Sequence, residues 1–169
     1  MSERITFLAP LPPVALRRNR ETASRGWRAR LVREYQEEVW CAGRAALPIS
    51  RCAVLHVEGR CPDELPWARA RLTLTWFHHR AGPDADNALA SCKWLIDVLK
   101  ATGPRPLGII QDDSPDCLDV AINVEKVRSK AEEGVLVSIE RVDEHEFCHG
   151  DFHRCDGGGP GLADRYGDA

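Results

Sequence analysis

The alternation of large aliphatic residues with polar or small residues from Leu118 to Glu125 constrains the fold of this chain more than any other feature of its sequence. An aliphatic residue stands at every second position up to Val124, with Asp119 and Asn123 among the residues between them. Successive side chains of a strand point to opposite faces, so this pattern predicts a strand with one buried face. The chain is therefore expected to build a sheet with an apolar core on one side.

Four further segments have strand character. Arg4–Leu8 is a short apolar run that a proline cluster ends, and Cys52–Val57 and Arg71–Phe77 each carry apolar residues on one face. Val135–Ile139 predicts the last strand, and Glu132–Gly134 before it predicts a hairpin turn that joins it to the preceding strand.

Two helices are predicted between these strands. Ser24 is a suitable N-cap, and apolar residues recur every four positions after it, so the first helix is expected to run to about Gly43. The segment Val14–Ala23 before it predicts a loop. After Pro83, apolar residues at helical spacing predict a second helix, which Gly103 and the proline after it end.

The element order β-α-β-β-α-β-β predicts an α+β fold, with a single mixed sheet packed by two helices, over a domain of residues 1–142. Residues 143–169 are polar, acidic and rich in glycine, which predicts a flexible tail. No apolar run approaches the roughly 18–20 residues of a membrane helix, and prolines interrupt the N-terminal apolar segment too early for a secretory signal. We therefore expect a cytoplasmic protein with no membrane partner.

Charge is distributed unevenly along the chain, whose net charge is −3. Residues 1–80 hold 14 Lys and Arg against 8 Asp and Glu, whereas residues 81–169 hold 9 against 18. This balance excludes a uniformly basic nucleic-acid binder but agrees with a basic N-terminal surface and a separate acidic site. The cationic residues available for phosphate contacts, which are otherwise a merely solvated surface, are Arg17, Arg18, Arg20, Arg25, Arg28, Arg30 and Arg33.

Acidic residues cluster on either side of the second predicted helix. Asp84, Asp86 and Asn87 open that helix, and Asp112 and Asp113 follow it. Mg²⁺ takes oxygen ligands from a few carboxylates together with substrate phosphates, so this composition suits a divalent metal site. We expect the two groups to meet if the helix packs back on the sheet. The alternative is structural, because an aspartate can cap the helix and the later pair can form an ordinary turn.

Taken together, these segments resemble the RusA-type Holliday junction resolvases. The resemblance is carried by DADN at the start of the helix, by the helix end IDVLKATG and by IIQDDSPD before the alternating strand. ITFLAPLPP and RRNR near the N-terminus add to it, so that it covers about residues 4–140. The family consists of small, homodimeric, Mg²⁺-dependent endonucleases that are common in phages and prophages.

The resemblance implies a role for each matching residue. Asp84 and Asp86 match the paired metal-binding aspartates, while Asp113 matches the third essential aspartate, with Asp112 as its acidic neighbour. Mg²⁺, with Mn²⁺ as a substitute, is the implied cofactor, and a four-way DNA junction bound by a homodimer is the implied substrate. The residues expected to contact DNA are Arg17, Arg18, Asn19, Arg20, Arg28 and Asn87.

One position departs from the family pattern. The family often places a functional lysine six residues after the first aspartate, where this chain has Ala90. Lys93 lies three residues further on, close to one helical turn, so it is expected either to serve the same catalytic role or to be a solvated helix residue. Lys100, near the helix end, is expected to lie beyond reach of the acidic cluster.

Two other functions fit the same sequence. One is a nuclease of this fold that acts on flaps or other branched DNA. The other is a catalytically idle accessory protein that binds DNA or zinc, since thiolates and imidazoles can form a zinc site. The residues that would serve such a site are His145, Cys148, His149, His153 and Cys155.

Overall fold

The computed structural model describes residues 4–17, 24–47 and 65–142. Within these ranges the chain forms four strands and three α-helices in one α+β arrangement with a single mixed sheet, as predicted. None of these helices has the length and apolar character needed to cross a membrane. The strands are β1 Arg4–Ala9, β2 Ala70–His78, β3 Leu118–Lys126 and β4 Gly134–Arg141, and the helices are α1 Arg25–Ala46, α2 Ala85–Ser91 and α3 Lys93–Leu99.

The strand order in the sheet is β1-β4-β2-β3. β4 is antiparallel to both β1 and β2, whereas β2 and β3 are parallel, with Leu74 opposite Ile122 on one side and Val137 on the other. The predicted hairpin between the last two strands is therefore wrong. The chain leaves β3, donates from Val127 N–H to the His78 carbonyl at 2.8 Å, and crosses the end of β2 before β4 begins at Gly134.

The burial of the strands agrees with the central position of β4 and with the position of β3 at the edge of the sheet that the described residues form. Val135, Val137 and Ile139 of β4 are fully buried, so this strand suits a position between two neighbours. β3 exposes Asp119 and Glu125, and charged residues of this kind are typical of a sheet edge. The alternation that predicted β3 from the sequence is confirmed, and its apolar side chains pack against the core.

One face of the sheet carries the helices and the core. Leu72, Leu74 and Trp76 of β2 point into it, together with buried residues of β1 and β4. α1 packs against β1 and α3, and α2 lies near β3. The first helix begins as predicted, because the Ser24 hydroxyl accepts a hydrogen bond from Trp27 N–H at 3.4 Å.

The second predicted helix is two short helices rather than one. α2 and α3 are separated at Cys92, a fully buried residue with φ −80° and ψ −1°. Burial raises the pKa of the Cys92 thiol to about 12, so this cysteine is an inert core residue. α3 therefore follows α2 directly, with Cys92 as the single residue between them.

Gly43, predicted as the end of α1, is instead inside the helix at a close contact. A Cβ atom there would overlap Leu107 Cδ1 and approach Phe7 Cζ to 3.3 Å. We expect Gly43→Val to lower the free energy of unfolding by about 1–3 kcal/mol, measured by urea denaturation, because the packed core resists added volume. Gly26→Ala is the control: a Cβ at Gly26 meets nothing within 4 Å, so this change should leave stability unchanged or raise it slightly.

Some expectations lie outside the described residues. They concern the predicted strand Cys52–Val57, the tail of residues 143–169 with its Cys and His residues, and three residues of the basic loop, Arg18, Asn19 and Arg20.

Candidate active site

The first acidic group lies at the start of α2. Asp84 is the N-cap: its Oδ1 accepts from Asn87 N–H at 2.8 Å, and its Oδ2 accepts from Asn87 Nδ2 at 3.0 Å. Asp86 lies exposed in the first turn of the helix. Ser91 Oγ donates to the Asn87 carbonyl at 2.6 Å. Asn87 therefore holds the Asp84 carboxylate in one orientation, while both oxygens keep lone pairs for another ligand.

The second acidic group follows a loop that is bound tightly to the end of α3. Leu107 N–H donates to the Val98 carbonyl at 2.8 Å, and Ile109 N–H donates to the Leu99 carbonyl at 2.9 Å. Ile109 and Ile110 are fully buried. This loop therefore places Asp112 and Asp113 beside the C-terminal end of α3.

Lys100 joins this second group, although the sequence had suggested that it lies out of reach of the acids. Its Nζ is 2.8 Å from Asp97 Oδ1 and 3.2 Å from Asp113 Oδ1. Asp112 Oδ1 in turn accepts from Asp113 N–H at 2.9 Å. The expectation was wrong because it considered only the distance along the helix between Asp86 and Lys100. The loop after α3 runs back along that helix and brings Asp113 to Lys100. The ion pair of Lys100 with Asp97 could have been predicted from the sequence, because residues three positions apart lie on one helix face.

These contacts change the ionisation of both partners. The hydrogen bond that Lys100 donates to Asp97 is the largest cause of the raised pKa of Lys100, and the hydrogen bond and charge of Asp113 add to it. Partial burial alone would raise the pKa of Asp113, but the hydrogen bond and charge of Lys100, with the hydrogen bonds around Asp112, lower it below its usual value. Asp113 is therefore held as a carboxylate.

The two acidic groups do not meet within one chain. α2 and α3 together span residues 85–99, and at 1.5 Å per residue a helical segment of this length extends about 20 Å between Asp86 and the end at which Lys100 contacts Asp113. No cluster of three or more metal-ligating side chains forms within residues 4–17, 24–47 and 65–142. The oxygen donors suit Mg²⁺ chemically, but a single copy does not bring the two ends together.

Lys93 opens α3 with its side chain in solvent. Its Nζ is 6.0 Å from the centroid of the Trp94 ring, and in the described part of the chain it forms no ion pair. The break at Cys92 lies between Lys93 and Asp86. Lys93 therefore retains an exposed positive charge without an ion-pair partner among the described residues, close to the middle of the helical segment.

The arginines differ in their surroundings. Arg17 lies with its Cζ 5.2 Å from the Trp76 ring centroid and donates from Nε to the Pro12 carbonyl at 3.0 Å. Arg30 is paired with Glu34 at 2.7 Å, so its charge is already matched. Arg28 is half-buried at the edge of a groove between α1 and α3, whose volume is about 780 Å³.

Comparison with family models and with curated proteins identifies no relative of this chain. No family model matches the chain, and no curated protein matches it. The resemblance to RusA-type resolvases therefore stays a prediction from the sequence segments DADN, IDVLKATG, IIQDDSPD, ITFLAPLPP and RRNR.

The ion pair of Lys100 gives a test by pH. Because the pKa of Asp113 is lower in the folded chain than in the unfolded one, the pair stabilises the fold above the unfolded value of about 3.9 and loses this effect as the pH falls through the folded value. We expect Lys100→Met to lower Tm at neutral pH, by an amount that shrinks toward about pH 3. Lys93→Met, which removes an unpaired charge at the start of α3, is the control. Its effect on Tm, measured by calorimetry, should not shrink as the pH falls.

Proposed function

We propose that this protein is a Mg²⁺-dependent, structure-selective endodeoxyribonuclease that resolves four-way DNA junctions by paired nicks. The observation that supports this most is the arrangement of Asp84, Asp86 and Asn87 at one end of the α2–α3 segment and of Asp113 with Lys100 at the other. In both groups a carboxylate is held in place by neighbouring side chains yet stays open to solvent. Such pre-ordered, accessible carboxylates suit a metal-assisted hydrolysis.

A homodimer would bring the two ends together. If a two-fold axis sets α2 of one copy against the end of α3 of the other, each site receives Asp84 and Asp86 from one copy and Asp112 and Asp113 from the second. An isologous pairing creates two such sites at once, because every contact occurs twice. Two equivalent sites match a junction in which two like strands must be cut.

Each group of the chain then has a definite task. Asp84 and Asp86, with Asp113 of the second copy, would hold Mg²⁺ or Mn²⁺, which supplies Lewis acidity toward the phosphate and lowers the pKa of water. Asn87 orients Asp84 through two hydrogen bonds, and Lys100 keeps Asp113 ionised. Lys93 would place a positive charge near the phosphate as negative charge develops on its oxygens.

The Lys93 assignment predicts a kinetic effect. We expect Lys93→Ala to lower the cleavage rate by about 10²–10³-fold, the scale found when one electrostatic contact to a transition state is removed. Junction binding should weaken far less, since the arginines still contact phosphates. Single-turnover cleavage of a labelled junction measures the first quantity, and a gel-shift titration in Ca²⁺ measures the second.

A suitable control removes a cation elsewhere. Arg71 is exposed on β2 and paired with Asp119 at 3.4 Å, on the sheet face that points away from the helices. Arg71→Ala should cut at the parental rate. If Lys93→Ala also cuts at that rate, Lys93 is a solvated helix residue with no part in the reaction.

The proposal itself is tested with synthetic DNA. The purified chain is incubated with a four-way junction, with a flap and with a linear duplex of the same sequence, each with and without Mg²⁺. We expect paired, symmetric nicks in the junction only when Mg²⁺ is present. Preferential cutting of the flap would favour the related flap nuclease. Binding without cleavage of any substrate, together with stoichiometric zinc in the purified chain, would contradict the proposal in favour of an accessory protein.

A further inference from the structure

A groove runs between the first half of α1 and the C-terminal half of α3, and the function proposed above assigns no ligand to it. Its volume is about 780 Å³, which is in the range of small-ligand sites. Ala29, Val32 and Trp94 contribute apolar surface, and the turn at residues 102–104 closes one end. Trp94 is partly exposed, so its ring is available to a ligand.

The charges along this groove are mainly positive. Arg25, Arg28 and Arg33 line it from α1, and none of the three forms an ion pair with any residue that the structure describes. This distinguishes them from Arg30 on the same helix, which is matched by Glu34. The acidic side chain of the groove, Asp97, is already paired with Lys100. The uncompensated charge therefore favours an anionic ligand.

The combination of arginines with the apolar side chains of the groove restricts the class of anionic ligand that fits. A positively charged groove that follows phosphates, with an aromatic ring on which a base can stack, is the general arrangement for unpaired nucleic acid. An acidic peptide would satisfy the arginines but would leave Trp94 and Val32 without a matching apolar group. A duplex is too wide to enter a cavity of this volume, whereas a few unstacked nucleotides fit.

We propose that the groove between α1 and α3 binds an unpaired DNA strand, with phosphates on Arg25, Arg28 and Arg33 and a base against Trp94. Lys100 lines the groove and also contacts Asp113, so a strand bound there lies directly beside the second acidic group. The inference rests on the proposed function for the identity of the nucleic acid. It extends that function by stating that the substrate offers an unpaired segment next to the branch.

Binding of a labelled dT8 oligonucleotide, followed by fluorescence anisotropy in EDTA, tests the groove without any cleavage. We expect the double variant Arg28→Ala/Arg33→Ala to weaken binding at least tenfold and to reduce the salt dependence of the affinity. Trp94→Leu should weaken it about tenfold, since stacking on one aromatic ring contributes on this scale. Trp94→Phe should restore most of that loss, and Arg71→Ala should bind like the parent chain.

Three results would overturn the inference. The first is that the parent chain does not bind dT8, and the second is that the groove variants bind it as well as Arg71→Ala does. The third is that octaglutamate competes as effectively as unlabelled dT8 while Trp94→Leu changes neither, which would make the groove a general anion surface. Circular dichroism of each variant identifies any loss of fold, and Trp94→Phe keeps the test valid if Trp94→Leu unfolds.

The same data separate this inference from the proposed function. If dT8 binding depends on the groove but no junction is cut with Mg²⁺, the groove assignment stands and the nuclease assignment fails. If junctions are cut with Mg²⁺ while the groove variants bind dT8 normally, the nuclease assignment stands and the groove assignment fails.

Discussion

Replacing Asp86 with Asn is expected to abolish junction cleavage, by about 10³-fold or more, while junction binding stays intact or becomes tighter. Asp86 is exposed in the first turn of α2 and forms none of the hydrogen bonds that hold the helix start, so its replacement should not disturb the fold. The amide removes a negative charge that repels DNA phosphates. Single-turnover cleavage and a gel-shift titration of the same junction measure the two effects.

Asp119→Asn is the matched control for this experiment. Asp119 is also an exposed aspartate, but it lies on the sheet face that points away from the helices, next to Arg71. This variant should cut at the parental rate. Parental cleavage by Asp86→Asn would show that the DADN segment is only a helix start and does not bind metal.

Mixing two inactive variants is expected to restore activity. If each site takes Asp86 from one copy and Asp113 from the other, a heterodimer of Asp86→Asn and Asp113→Asn has one site with both defects and one site with neither. With random pairing, about a quarter of all sites are then intact, since half of the dimers are mixed. Co-expression with two different tags, purification of the mixed dimer and a nicking assay measure this recovery.

Two comparisons make this result decisive. A double variant, Asp86→Asn/Asp113→Asn, paired with the parent chain places one defect in each site and should be inactive, although it carries the same number of substitutions. Failure of the mixed dimer to nick, while the parent dimer cuts, would show that each copy holds its own complete site. That outcome would require Asp86 and Asp113 of the same copy to come together from the two ends of the helical segment, which is about 20 Å long.

The sequence predicted the elements of this fold better than their arrangement. Alternation identified β3 because burial on one face leaves a period-two pattern that needs no knowledge of the neighbouring strand. The hairpin prediction was wrong because residue types such as those of Glu132 and Gly134 occur both in the tight turn of a hairpin and in a connection that crosses another strand. In the fold, Ser129 and Glu132 cap a short 3₁₀ turn that carries the chain past β2.

In the candidate active site, too, local contacts could be predicted from the sequence better than contacts between distant residues. Spacing predicted an aspartate N-cap at Asp84 or Asp86, since an N-cap side chain reaches the amide three residues on, and the structure shows that Asp84 forms it. The contact between Lys100 and Asp113 spans thirteen residues and depends on how the loop returns along α3, which no local pattern encodes. The distance between the two acidic groups likewise emerges only when helix length and sheet packing are considered together.

The pairing of β1 with β4 sets the order in which the chain can fold. Arg4 lies opposite Glu140, so the first and last strands of the described sheet are neighbours, and β1 contacts no strand of that sheet except β4. Pairings between such distant segments close a long loop and slow folding. During synthesis, the backbone edge of β1 that pairs with β4 therefore stays unpaired until about 130 further residues have been made, while α1 can already cover the apolar side chains of β1. A chain that stops before Gly134 has no strand to pair with that edge, and we expect it to aggregate.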